Sequence, residues 1–334
     1  MRKKIRQKFL VWNGESRALP QVRHFMMIDK HIIVANDTIF FDLYAPDVSS
    51  GENVMALCLA GGTRVDAPLR ARLLQKETLY IDTEQKALYQ EYVEKHLQRI
   101  ARDRTISMDE KTKLIYSVAA DTVDAIYKFP DLSVNADRSM NIVRPILDTI
   151  LSDEKTIVSY IKILEHDYYT HTHCLNVGIY AMSLGNDLGL EEEELVRLGQ
   201  SGLLHDLGKS HIDNRIINKN GKLDSREFEI IKEHPELGYE IALQIGISDS
   251  EILDAIRHHH EKLDGVGYPD ALNSREISLF PRIVGICDIF DALTTRRSYK
   301  NPLNSFDALH LMKTQMHDHL DMSLVDRFIR ILHD

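Results

Sequence analysis

The run EILDAIRHHHEKLDGVGYPD, residues 251–270, sets three adjacent imidazoles (His258, His259 and His260) ahead of an acidic loop that ends in Gly267, Tyr268 and Pro269. Imidazole titrates near neutrality and ligates metal ions through either ring nitrogen. Nine of the 16 histidines lie between His166 and His260, so their helix faces must decide which of them do chemistry. At roughly 100° per residue, a helix over 251–260 has an apolar stripe of Ile252 and Ile256 flanked by Leu253 and Ala255. His259 and His260 fall on or beside that stripe, and His258 lies nearly opposite, towards water. Two neighbouring inward imidazoles are hard to satisfy with carbonyls alone, which points to a metal.

His173, in YYTHTHCLNVGIYAMSL, shares a face with Val177, Tyr180, Ala181 and Leu184. A lone histidine there is ordinarily a hydrogen-bonded core residue, so His173 counts only in company. LVRLGQSGLLHDLGKS supplies it: Asp206 falls on the side of Leu195, Gly199 and Gly202, with His205 beside it. A buried carboxylate is costly unless a cation or donors meet it. Gly199 and Gly202 let another helix approach, and Gly208 is expected to end this helix with Lys209 at its mouth. His234-Pro235 marks one helix stopping and another starting. A histidine there either projects as a ligand or complements a helix dipole, and its sequence alone leaves both open. PRIVGICDIFDAL is apolar on nearly every side yet carries Asp288 and Asp291; one as ligand and one as the acceptor behind a ligand is the economical reading. Five imidazoles (His173, His205, His234, His259, His260) and two carboxylates (Asp206, Asp288) are too many for one octahedral ion. They suit two ions sharing Asp206. Ligation without sulfur favours iron, manganese, zinc or nickel over copper(I) or calcium.

The elements that must carry these residues are mostly helices. Before them, HIIVA, TIFFDLY and VMALCLAGG read as strands between turns, followed by a helix at Ala67–Lys76, a strand LYID, and a helix from about Glu84 to Arg102 with Leu88, Tyr92, His96 and Ile100 along one side. The expected division is a small α+β domain over 1–102 with a sensory or regulatory role, a helical linker over 103–136, and an all-helical domain over 137–334. The linker's apolar face, Leu114, Val118, Val123 and Ile126, needs a partner, so a homodimer or protein partner through the linker or the N-terminal domain is expected. With 43% hydrophobic and 28% charged residues the 334-residue chain is globular. A net charge of −10 argues against DNA as a partner. Three scattered cysteines without a CxxC fit a reducing compartment, and no run reaches the ~18 apolar residues of a membrane span. The expected location is cytoplasmic, with no membrane insertion.

HDLGK, IIKEHPELGYEI, HHEKLDGVGYP and DIFDALTTRRSYK, in that order, resemble the HD-GYP family, metal-dependent phosphodiesterases of cyclic di-GMP within the HD hydrolase superfamily. The resemblance covers about 137–334 and implies a mainly α, all-helical HD-type fold around a metal cluster. It implies the same ligand set: His173, His205, Asp206, His234, His259, His260 and Asp288. It assigns catalytic roles to Asp206 and Lys209 and phosphate contacts to Lys209, Arg297 and Lys300. Tyr268 would meet the nucleotide, with Asp264, Gly265 and Gly267 shaping its loop. Where some members place a glutamate for a third metal, this chain has Tyr169, so two divalent ions are expected, iron or manganese before zinc or nickel. The implied reaction opens a 3′–5′ phosphodiester of cyclic di-GMP to linear pGpG through a hydroxide between the two ions. The alternatives are a catalytically weak sensor of cyclic dinucleotides and a hydrolase of another nucleotide.

Overall fold

Aspartates punctuate the start of the chain and decide where its strands fall. In the computed structural model, which describes residues 23–47, 54–153, 156–164, 172–219, 221–295 and 302–333, the chain divides into two compact units, Met1–Ile106 and Ser107–Asp334. In the first, β1 (Phe25–Ile28), β6 (Leu79–Asp82), β3 (Leu43–Pro46) and β4 (Met55–Leu59) form an antiparallel sheet in the order β1-β6-β3-β4. A separate ribbon pairs β2 (Asp37–Ile39) with β5 (Thr63–Val65). HIIVA does not form the strand its composition suggested. Asp29 accepts a hydrogen bond from the His31 amide at 2.9 Å and caps a 3-10 turn over Lys30–Ile32, while Ile32 and Ile33 still go into the core. TIFFDLY is split between β2 and β3 because Asp42 turns the chain, accepting from the Gly61 amide at 2.8 Å. Helix α1 (Ala67–Leu74) is capped by Asp66, and α2 (Lys86–Arg102) buries Tyr92, His96 and Ile100 while leaving Leu88 exposed.

Among the described residues, the regular elements of the second unit are all helices. It comprises α3 (Met108–Lys128), α4 (Asn135–Ser152), α5 (Thr156–Leu164), α6 (His173–Leu188), α7 (Glu192–Leu204), α8 (Asn214–Ile217), α9 (Ser225–Ile231), α10 (His234–Gln244), α11 (Ser250–His258), α12 (Leu279–Thr294), α13 (Ser305–Gln315) and α14 (Met322–His333). A capping box between Ser107 and Glu110 starts α3, satisfying two helix-end donors at once. The segment read from sequence as a linker holds α3, whose Leu114, Val118, Val123 and Ile126 are all buried within this unit, where α3 packs on α4, α5 and α6. That face is covered by the chain itself and offers no surface to a second copy. Helices α6 and α7 pair most closely: a Cβ on Gly202 would lie 2.7 Å from the Gly178 Cα, so only glycine permits the approach. Against this pair lies α12, buried along nearly its whole length. No helix among the described residues is long and apolar enough to cross a membrane.

Candidate metal centre

Each candidate ligand enters the core from a helix end or from a face that glycines or apolar neighbours bring close. His173 is the first residue of α6. His205 and Asp206 follow α7, which stops at Leu204, before Gly208 rather than at it. Gly208 instead sits in a 3-10 turn at Leu207–His211, where a Cβ would lie 2.0 Å from the His234 carbonyl oxygen. Its role is close packing against α10, not helix termination. His234 opens α10, with Pro235 at the position where a missing N–H costs nothing. His259 caps α11 and His260 follows it. Asp288 comes from the middle of α12.

These seven side chains converge. Ligand atoms of Asp206, His234, His259 and His260 lie within 4.8 Å of one another, as do those of His173, His205 and Asp206. Asp206 belongs to both groups. Asp288 joins the second, with its Oδ1 3.0 Å from His173 Nε2 and 3.9 Å from His205 Nε2, and reaches towards the first through Oδ2, 3.9 Å from His260 Nδ1.

The hydrogen bonds behind the ligands fix their tautomers. His205 Nδ1 donates to the Gly202 carbonyl (2.7 Å), His234 Nδ1 to that of Ile231 (2.6 Å) and His259 Nδ1 to that of Ile256 (2.9 Å). With the proton on Nδ1, each Nε2 presents a bare lone pair to the interior. His173 Nδ1 donates to Asp291 at 2.6 Å, and Asp291 also accepts from Asn176 Nδ2 at 2.8 Å. Asn176 in turn accepts from the Tyr116 hydroxyl at 2.9 Å, tying α3 to α6 and α12.

The consequence is a set of acceptors that face one another. His234 Nε2 lies 3.2 Å from His259 Nε2 and 3.2 Å from Asp206 Oδ1. Buried His205 Nε2 and Asp206 Oδ1 lack any hydrogen-bond partner, and His173 Nε2 faces Asp288 Oδ1 at 3.0 Å. Native structures rarely strand buried polar atoms, and facing lone pairs repel. A cation at each group resolves both problems, and the donor set of imidazoles and carboxylates suits a divalent metal.

Electrostatics favour the protonation states that ligation needs. Burial pushes the His260 pKa down to about 3 and that of His259 well below its ordinary value, helped by the neighbouring imidazoles. Burial also lowers His205, against Asp206 and Asp288. Burial works against the charged form of Asp206, but Lys209, His205 and His234 hold its carboxyl well below the usual range. Asp288 is held low by His173 against the same burial. His173 goes the other way: burial opposes its charge, but Asp288 and Asp291 outweigh it and lift the pKa to about 9.

Around the cluster, Lys209 Nζ donates to Asp206 Oδ2 at 2.5 Å. The Tyr268 ring lies 4.7 Å from that of His260 at 31° and precedes a cis peptide to Pro269. Asp264 is not part of the cluster; it lies 3.1 Å from His319 and bridges to Asn273 at the base of the loop. Gly267 packs on the backbone of the preceding segment, since a Cβ would lie 2.4 Å from the Glu261 Cα. His258 does not face water. It is clamped between Asp254 (2.6 Å) and Asp270 (2.9 Å), which a helix-face argument cannot foresee because Asp270 arrives from the loop. Glu261, which sequence reasoning passed over, holds that loop by accepting from the Asp270 and Leu272 amides at 2.7 and 3.0 Å. Asn176 was also missed, although an amide three residues after His173 in an apolar helix was a usable signal. Tyr169, Arg297 and Lys300 lie outside the described residues.

Comparison with known proteins agrees with this geometry. An HD domain family model matches residues 147–324. A cyclic di-GMP phosphodiesterase of Pseudomonas aeruginosa, PA4108, is 31% identical over 198 residues, 59% of this chain and 48% of its own length. The cyclic di-GMP phosphodiesterase response regulator RpfG of Xanthomonas campestris is 38% identical over 154 residues, 44% of this chain and 39% of that protein. A 3′3′-cGAMP-specific phosphodiesterase 3 of Vibrio cholerae is 35% identical over 153 residues, 46% of this chain and 33% of that protein. The chain thus spans half or less of these relatives. A solved HDG"Y"P protein of Bdellovibrio bacteriovorus, Bd1817, shares the fold, with a TM-score of 0.65 and 17% identity over 93% of this chain and all of that one.

Proposed function

From the premise that this chain belongs to the HD domain family and carries the HD-GYP motifs, we propose that it is a metal-dependent phosphodiesterase that opens cyclic di-GMP to linear pGpG. The observation that carries the reading is the pair of donor groups sharing Asp206, with the bare nitrogens of His234 and His259 facing each other across 3.2 Å. His173, His205, Asp206 and Asp288 would hold one divalent ion and Asp206, His234, His259 and His260 the other, with iron or manganese the metals such ligands suit. Divalent ions there supply a nucleophile from water at neutral pH and Lewis acidity towards phosphoryl oxygens.

The chain's own residues do the rest. The Nδ1 bonds to carbonyls keep the His205, His234 and His259 rings aimed before substrate arrives, so these ligands would need no reorganisation during the reaction. Lys209, a cation paired with Asp206 at the edge of the cluster, would offset charge growing on the phosphoryl group. Arg297 and Lys300 are proposed as further phosphate contacts. Tyr268, packed on His260, offers a flat wall to the nucleotide and keeps water from that side of the ligand.

The test is to incubate metal-loaded protein separately with cyclic di-GMP and 3′3′-cGAMP and to follow linear product by chromatography. Preferred opening of cyclic di-GMP is the expected result. Preference for cGAMP would move the reading towards the Vibrio relatives, and tight binding without product would favour the sensor.

A further inference from the structure

Phe228 is one of the large apolar side chains the fold leaves in solvent, 46% exposed. A single exposed phenylalanine is ordinary; its surroundings are not. Helix α9 presents it from a rigid mount. Asp224 accepts from the Glu227 amide (2.9 Å), Glu227 accepts from the Asp224 amide (2.8 Å), and Lys219 Nζ donates to Glu227 (2.7 Å). One turn on, Lys232 points its ammonium at two rings at once, 5.3 Å from the centre of Phe228 and 5.9 Å from that of Tyr268. Glu229 fixes the ammonium at 2.8 Å. A row therefore runs outward from the metal cluster: His260, then Tyr268, then Lys232, then Phe228. Two residues after Lys232 comes the ligand His234.

We propose that Phe228, with Lys232 between it and Tyr268, is a purine-binding platform on which one base of the dinucleotide stacks while its phosphate reaches the metal centre. The proposal rests on the phosphodiesterase reading for its ligand. Base–aromatic stacking tolerates any base, and a neighbouring cation adds to it. Phe228 is thus a binding residue for the part of the substrate that does not react.

The test separates stacking from packing and from turnover. Calorimetric dissociation constants for guanosine monophosphate and ribose 5-phosphate, which share a phosphate and differ by the base, are measured on manganese-loaded protein and on its Phe228→Ala, Phe228→Leu and Phe228→Trp variants. Phe228→Ala and Phe228→Leu should weaken the nucleotide about tenfold and leave the sugar phosphate unchanged. Phe228→Trp should keep or tighten nucleotide binding. With cyclic di-GMP, the first two variants should raise KM by a similar factor at nearly constant kcat, with metal content unaltered. Absence of nucleotide binding, equal binding by all four proteins, recovery by leucine, or parallel loss of both ligands would each overturn the platform. Failure of the unaltered protein to hydrolyse cyclic di-GMP, with the nucleotide result intact, would instead count against the phosphodiesterase reading alone.

Discussion

In the metal-free protein His173 holds a proton that a bound metal ion would have to displace, whereas burial keeps His205, His259 and His260 neutral. Its pKa near 9 comes from Asp288 and Asp291 overcoming burial, and that of His260, near 3, from burial itself. These opposite shifts give the metal-free protein a two-sided pH dependence. His173 is raised above an unfolded value of about 6.5, so its contribution is complete below that pH and is lost as pH rises through 9. His260 is depressed, so folding is penalised as pH falls from about 6.5 towards 3, by up to about 1.4 kcal/mol per pH unit. Melting of chelator-treated protein should therefore peak near neutrality and fall on both sides. A melting temperature still climbing at pH 9 would contradict the assignment of His173. Most of the proposed ligands stood out in the sequence because burial of a charged or titratable group on an apolar face is costly and so informative, whereas His173 counted only in company and His234, at a helix break, stayed open to a dipole role. His258 was legible only in part: Asp254 lies one turn back on its own helix, but its second partner Asp270 is twelve residues away on a loop whose path no periodicity encodes.

At the scale of elements, two glycine contacts set how closely the ligand-bearing segments approach. Gly202 on Gly178 was foreseeable from small residues on one helix face. Gly208 was misread as a helix stop because a glycine after an apolar run usually is one, and its true neighbour, the His234 carbonyl, is distant in sequence. Gly208→Ala sets a methyl against backbone, which has no rotamer to relieve it. The variant should lose at least the ~1–3 kcal/mol typical of overpacking, seen as a lower denaturation midpoint, and should bind metal more weakly because His234 moves. Unchanged stability and metal content would show that the turn can shift freely. HIIVA failed as a strand for a similar reason: its β-branched residues say that it is buried, and only the Asp29 cap says in which backbone form.

At the scale of the molecule, sequence separated a small α+β part from a helical one but drew the border around a linker. Contacts put the border between Ile106 and Ser107, because the apolar face of α3 finds its partners in α4, α5 and α6 rather than in another chain. That assembly matters for the chemistry. The proposed ligands come from α6, the turn after α7, α10, the end of α11 and α12, so no single element could hold an ion alone. Ion binding then reports the whole second unit in its native arrangement. The shared carboxylate makes the sharpest test, by elemental analysis of protein purified with saturating manganese and desalted. Two ions per chain are predicted for the unaltered protein, about one for His173→Ala, and neither for Asp206→Ala. Two ions retained in folded Asp206→Ala, or none in the unaltered chain, would contradict a centre built on Asp206.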